Sequence, residues 1–229
     1  MRKDITVRGT VSVSDGMLRR AIAEDNLAMQ FKDLMSTPCF TSSTELRTRV
    51  VEDIRANSEV VVLEFGVWQG RSMEFWSSRF TNPASRFYGF DSFEGLPEDW
   101  NKKHPKGTFS TAGKIPSTQD SRVRYCAGWI QNTLPDFVKE HDLSGKTVLC
   151  HIDVDLYSAT LFVLGFLWSK IDRMYLVFDE FEIDENRAFS DFQSAFPISV
   201  NWKGHTIAGN GLPGVVFCEI ARIPYAVEG

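Results

Sequence analysis

Acids at the ends of apolar runs dominate the chemistry this sequence offers. One run closes as His151-Ile152-Asp153-Val154-Asp155-Leu156-Tyr157-Ser158, and a later one, Arg173 to Phe178, closes as Asp179-Glu180. As neighbouring parallel strands these runs deliver four carboxylates to one sheet edge, where like charges need a proton or a cation to compensate them. Oxygen-rich carboxylate sets suit Mg2+ or Ca2+, whereas Zn2+ prefers His and Cys. A cation there can chelate two substrate oxygens and lower the pKa of a hydroxyl, and a remaining carboxylate or His151 can take the proton. The competing reading is that some of these acids merely cap helices at strand ends.

A second set of candidates lies upstream, in Glu59-Val-Val-Val-Leu-Glu64-Phe65-Gly66-Val-Trp68-Gln-Gly70-Arg-Ser72. A short apolar run, an acid, glycines and then a polar helix start read as a buried parallel strand entering a tight turn. Gly66 and Gly70 let the backbone turn and approach a ligand, and Ser72 and the free N–H groups of the next helix face the same space. The spacing G-x-x-x-G is neither the dinucleotide G-x-G-x-x-G nor the P-loop, and Arg71 stands where a P-loop lysine would be. An acid in the loop repels a pyrophosphate but suits an ammonium. S-adenosylmethionine offers an ammonium, a sulfonium and a ribose and no phosphate, which favours it over NAD or ATP. Asp91 closes the next run, Arg86 to Asp91, about 20 residues after the glycine turn, where a carboxylate can accept both ribose hydroxyls; Ser92 and Phe93 then stand beside the adenine.

The elements that must hold these residues alternate along the chain. A helix is expected from Arg71 to Phe80, strands at Arg122–Cys126 (followed by Ala127-Gly128-Trp129) and Lys146–Ile152, a helix closing over Asp136–His141, and a buried helix at 160–168. That pace means βαβ units and a parallel sheet. Residues 94–121 lack periodicity and read as a long loop of the functional or mobile kind. Upstream, residues 1–16 read as a polar arm, 17–35 as a loose helical pattern, and Ser42–Ala56 as a helix with Leu46, Val50, Val51 and Ile54 in one stripe. The expected division is 1–56 as an N-terminal lid or dimer contact and 57–229 as the catalytic domain. Downstream, Glu182, Asp184, Glu185 and Arg187 open a helix with Phe189 and Phe192 turned inward, Trp202, His205 and Asn210-Gly211 fall in a late loop, and Gly214–Ile220 forms a terminal strand.

Composition narrows the class. At 229 residues, with 43% hydrophobic and 24% charged residues, the chain suits one large soluble domain. A formal charge of −5 argues against a nucleic-acid partner. Cys39, Cys126, Cys150 and Cys218 are far apart and read as reduced core residues rather than a metal or redox pair. No apolar run reaches the roughly 20 residues of a membrane helix and no signal peptide is evident, so a cytoplasmic location is expected.

The motifs add up to a likeness. Glu64-Phe65-Gly66-Val67-x-x-Gly70-x-Ser72, Gly89-Phe90-Asp91-Ser92-Phe93-Glu94-Gly95-Leu96-Pro97, Gly128-Trp129-x-x-x-Thr133-Leu134-Pro135, Asp153-Val154-Asp155-Leu156-Tyr157-Ser158-x-Thr160 and Phe178-Asp179-Glu180 resemble the macrocin O-methyltransferase family over roughly residues 59–181. The resemblance implies the Rossmann-like α/β fold of class I methyltransferases: a seven-stranded, mostly parallel sheet with its last strand antiparallel and helices on both faces. It implies S-adenosylmethionine as methyl donor and a small-molecule hydroxyl, such as that of a sugar or other natural product, as acceptor. By position, Glu64, Gly66, Asp91 and Ser92 would hold the cofactor, with Phe65, Trp68, Gly70, Ser72, Phe93, Gly128, Trp129 and Asp153 around it. Asp153, Asp179 and Glu180 would bind Mg2+ and Asp155 would be the general base, with His151 next in line. The chain departs from the family's metal-binding members, which carry two aspartates where it has Asp179-Glu180. A homodimer is the expected assembly. The rival readings are a non-catalytic relative and an NAD-dependent or nucleotide-sugar Rossmann protein.

Overall fold

The computed structural model describes residues 32–223. The arm expected at 1–16 and most of the helical pattern at 17–35 lie outside them. Within them the chain runs β1 (Cys39–Phe40), α1 (Ser43–Ile54), β2 (Val61–Phe65), α2 (Arg71–Arg79), β3 (Arg86–Asp91), β4 (Val123–Ala127), α3 (Ile130–Glu140), β5 (Val148–Ile152), α4 (Tyr157–Trp168), β6 (Arg173–Phe178), α5 (Asp184–Ala195), β7 (Ile198–Ile207) and β8 (Pro213–Arg222). The strands form one sheet in the order β1-β7-β8-β6-β5-β2-β3-β4, in which β8 runs antiparallel to β6 and β7 and every other pair is parallel. Strands β2 to β8 are the expected seven, and the two-residue β1 adds an eighth at the edge.

Strand alternation sorts the side chains into two layers. Val60 and Val62 of the β2 region, Leu149 of β5, Val177 of β6 and Phe217 of β8 face α1 and α2, which contribute Leu46, Val50, Val51 and Ile54, and Met73 and Trp76. Leu63 and Phe65, Cys150 and Ile152, and Leu176 and Phe178 face α3, α4 and α5, which contribute Phe137, Leu164, Leu167, Phe189 and Phe192. Each of these side chains adds about 1.5–3 kcal/mol when it leaves water. Helix α1 forms where it does because the Ser42 side chain caps the Glu45 N–H, while Glu45 turns back to the N–H and hydroxyl of Thr41. The sequence expectation of a helix over Ser42–Ala56 thus trims to twelve residues.

Three expectations change. Trp202 and His205 belong to β7 rather than a loop. Cys150 and Cys218 are core residues, but Cys39 is exposed and Cys126 half-buried; all four are free thiols. The helix expected to open at Glu182 begins at Asp184, and its start is buried, with Asp184, Glu185 and Asn186 at 8%, 1% and 0% exposure. Among the described residues no helix is long and apolar enough to cross a membrane.

Candidate active site

Chain order reverses on either side of β2, whose neighbours are β3 and β5. In open α/β sheets a crevice opens outside the carboxyl ends of the strands at such a point. A cavity of about 270 Å3 lies there, lined by Gly66 and Trp68 after β2, Asp91 and Ser92 at the end of β3, Trp129 before α3, Asp153 and Asp155 after β5 and Glu180 after β6.

The glycine turn is locked to the next strand's end. Gly66 has φ +86°, and a Cβ there would lie 1.8 Å from the Asp153 carbonyl oxygen, so only glycine lets the β2 and β5 loops meet. Asp91 ties down the same turn: Oδ2 accepts the N–H groups of Val67 and Trp68, both at 2.8 Å, and Oδ1 accepts the Phe93 N–H at 2.7 Å. Asp91 therefore both caps the loop and lines the cavity, with lone pairs left for a hydroxyl donor. Gly128 donates to the Asp91 carbonyl at 2.9 Å and leads into α3. Phe93 is buried at φ 60°, Phe65 stacks on Phe90 in the core, and Gly70 precedes α2 against Pro116.

The acids divide by depth. Glu64 is fully buried and does not line the cavity; Ser72 donates to its Oε1 at 2.9 Å and His151 Nδ1 stands 3.3 Å from its Oε2. His151 is equally buried, with the Trp76 indole N–H 3.4 Å from the same Nδ1 and Asp179 Oδ1 3.5 Å from Nε2. From α1 comes Arg47, whose guanidinium reaches Asp179 at 2.5 Å. Glu64, His151, Asp179 and Arg47 thus form a charged row on the α1/α2 side of the sheet, because Glu64, His151 and Asp179 continue the alternation of Val62, Leu149 and Val177. Burial alone would push His151 down, but Asp179 and Glu64 outweigh it and raise it to about 9. Burial alone would raise Asp179, yet His151 and Arg47 hold it below the usual carboxylate range.

Nearer the cavity the acids meet fewer cations. Burial first, then the charge of Asp179, drives Asp153 well above the ordinary range, so within that pair Asp179 carries the charge. Asp155 is held at φ 60°, a conformation rare for a non-glycine residue, and burial with the charges of Asp179 and Asp184 pushes it up to about 6. Glu180, exposed at the rim, is pushed up to about 7 by burial of its carboxyl and by Asp155 and Asp179. Glu185, behind them, accepts the Glu180 N–H at 3.1 Å and is raised well above its ordinary range by burial and Asp153.

Half of the expected set lines the cavity (Gly66, Trp68, Asp91, Ser92, Trp129, Asp153, Asp155 and Glu180), and the site adds side chains with no role assigned there from sequence. Arg47, Asp184 and Glu185 join the acids, and the long 92–122 connection brings Trp100, whose indole N–H donates to Asp184 at 3.1 Å, and Phe109, edge-on to Trp68 at 5.9 Å. Arg47 carried one signal: it is a charge lying beside the apolar stripe of Leu46, Val50, Val51 and Ile54. Among the described residues, His151, Asp153 and Asp179 bring one potential metal-ligating atom each to within 4.8 Å of the others, and His151 Nε2 is buried without a hydrogen bond. The oxygens of Asp153 and Asp179, with Glu180 at the cavity rim, fit a hard divalent cation; the His151 nitrogen does not add to that set.

Comparison with solved structures returns methyltransferases. The "Crystal Structure of CalS11, Calicheamicin Methyltransferase" aligns at TM-score 0.53 and 20% identity over 95% of this chain and 97% of that one. An O-methyltransferase from Bacillus cereus in complex with SAH aligns at 0.53 and 12% identity over 93% of each chain. A putative O-methyltransferase from Klebsiella pneumoniae aligns at 0.52 and 12% identity over 91% of this chain and 96% of that one. These likenesses establish the Rossmann-like methyltransferase fold. Curated proteins gave no match. The sequence profile described as Macrocin-O-methyltransferase (TylF) matches residues 44–203, which hold every strand from β2 to β6 and all the acids of the site, and the chain belongs to that family.

Proposed function

We propose that this S-adenosylmethionine-dependent O-methyltransferase methylates a hydroxyl of a sugar or related natural-product acceptor, with Asp155 as the base. The observation that carries the reading is the single cavity in which the Gly66 turn and Asp91 meet Asp153, Asp155 and Glu180. S-adenosylmethionine, when bound, supplies an electrophilic methyl for in-line transfer to oxygen. The turn at Gly66 and the Asp91 carboxylate would hold its ribose, and Trp129 would flank its adenine. Trp68 and Phe109, exposed at the mouth, offer flat apolar faces to an acceptor ring.

Deprotonation suits Asp155 best. It lines the cavity, and a carboxyl near 6 is ionised at neutral pH yet basic enough to draw a proton from a positioned hydroxyl. His151 is sealed behind the wall between Glu64 and Asp179, so its suggested part is to orient Asp179 rather than to touch an acceptor. Glu64, likewise sealed, would act through Ser72 and His151 instead of meeting the cofactor's ammonium. Mg2+ held by Asp153, Asp179 and Glu180 would supply positive charge to a hydroxyl losing its proton. Asp155→Asn is expected to abolish S-adenosylhomocysteine release from an acceptor library while leaving cofactor affinity within about twofold, since the base contributes roughly 100- to 10,000-fold to rate. Retained turnover would remove Asp155 from the mechanism.

A further inference from the structure

The carboxylates already have a cation of their own. Arg47 leaves the buried side of α1, and its guanidinium lies 2.5 Å from Asp179 Oδ1, while its Nε is buried without a hydrogen bond. The same carboxylate oxygen stands 3.5 Å from His151 Nε2, another buried atom lacking a hydrogen bond. Asp179 and His151, together with Asp153, make the set that brings its donor atoms within 4.8 Å of one another. Arg47 therefore sits on one of the ligands a divalent cation would use.

We propose that Arg47 is the resident counter-ion of this site, and that a hard divalent cation binds there by displacing its guanidinium from Asp179. A carboxylate oxygen that accepts a short guanidinium hydrogen bond offers that lone pair to no metal. A metal at about 2.1 Å on the other oxygen still feels the guanidinium's like charge in a partly dry setting. The backbones at both ends are fixed, since Asp179 follows β6 directly and Arg47 rises from a helix packed against the sheet through Leu46 and Val50, so the guanidinium itself must swing aside. The position of α1 and the occupancy of the carboxylates are thereby linked, each opposing the other by the same factor. The inference concerns cation binding alone and is read without cofactor or acceptor, so its failure is separable from a failure of methyl transfer.

The test is a titration of Mn2+ into the full chain followed by electron paramagnetic resonance of the free ion. Arg47→Met is expected to tighten Mn2+ binding on the order of tenfold or more, because it removes the competing charge. Arg47→Lys keeps the charge and should stay near the parent. Arg49→Met, on the same helix but paired with Asp53, should change nothing. Should Arg47→Met fail to fold, the Nε–H resonance of Arg47 in the intact protein provides the reading, and saturating Mg2+ should shift it. The proposal is overturned if Arg47→Met binds Mn2+ within twofold of the parent, if neither binds it, if Arg49→Met gains as much, or if Mg2+ leaves the Arg47 resonance in place.

Discussion

Replacing Gly66 by Ala tests the joint between cofactor turn and acid loop. The added Cβ would lie 1.8 Å from the Asp153 carbonyl oxygen and 2.7 Å from its carbon, where ordinary contact begins at 3.4 Å, so the two loops must separate by more than 1 Å. The left-handed φ of +86° costs alanine about 1–2 kcal/mol, and the forced shift adds about 1–3 kcal/mol of overpacking. For a chain of this size each kcal/mol moves the melting midpoint by about 2–4 °C, so a fall of roughly 5–15 °C is expected. Because the displaced loop carries Asp153 and Asp155, affinity for S-adenosylhomocysteine should fall as well. Gly113 provides the control: its φ is +75° but a Cβ there meets nothing within 4 Å, so Gly113→Ala registers the backbone strain alone. Melts followed by circular dichroism and calorimetric titration of S-adenosylhomocysteine read both effects. If Gly66→Ala loses no more than Gly113→Ala in either, the two loops are not joined as described.

Acid chemistry and stability give the other expectations. With its carboxyl raised to about 6, Asp155 as the proposed base would act in its carboxylate form, so kcat/KM should rise with unit slope toward pH 6 and level above it; a limb near pH 4 would deny the raised value. The same shift means the fold binds that proton more tightly than the unfolded chain does. Its stabilising effect is full below 3.8 and lost as pH climbs through about 6, so Asp155→Asn should gain about 1–3 kcal/mol in urea unfolding at pH 8 and little at pH 4. An equal gain at both pH values would contradict the linkage. Arg122 ties the end of α2 to β4 by donating to the carbonyls of Ser77, Phe80 and Asn82 and to Asp120. Arg122→Met should cost about 3 kcal/mol in the same assay with cofactor affinity intact, and a loss under 0.5 kcal/mol would show those bonds to be idle.

What the sequence could reveal followed from how each element is buried. Arg86–Asp91 and Arg173–Phe178 were legible to the residue because central parallel strands are apolar on both faces and end abruptly in acids. Strand β7 was not: Ile198–Ile207 lies near the sheet edge, alternates polar and apolar residues and contains Gly204, which blurs it into loop composition. At the site, the motifs found the carboxylates but not their depth. Alternation from Val62, Leu149 and Val177 places Glu64, His151 and Asp179 on the α1 face, where Glu64 and His151 are fully buried and only Asp179, within 4.8 Å of Asp153, comes near the cavity wall. Arg47 lies 132 positions before its partner Asp179, a pairing no local spacing could reveal. The buried start of α5 was hidden for a different reason: charges in a first helical turn are the usual mark of a solvated N-terminus.

A crystal structure of the full chain with S-adenosylhomocysteine is the sharpest trial of the whole reading. Density should fill the cavity with the ribose on Asp91, the backbone of the Gly66 turn against it, and the sulfur directed toward Asp155. Density elsewhere, or a ribose that leaves Asp91 untouched, would contradict the assignment of this cavity as the methyl-transfer site.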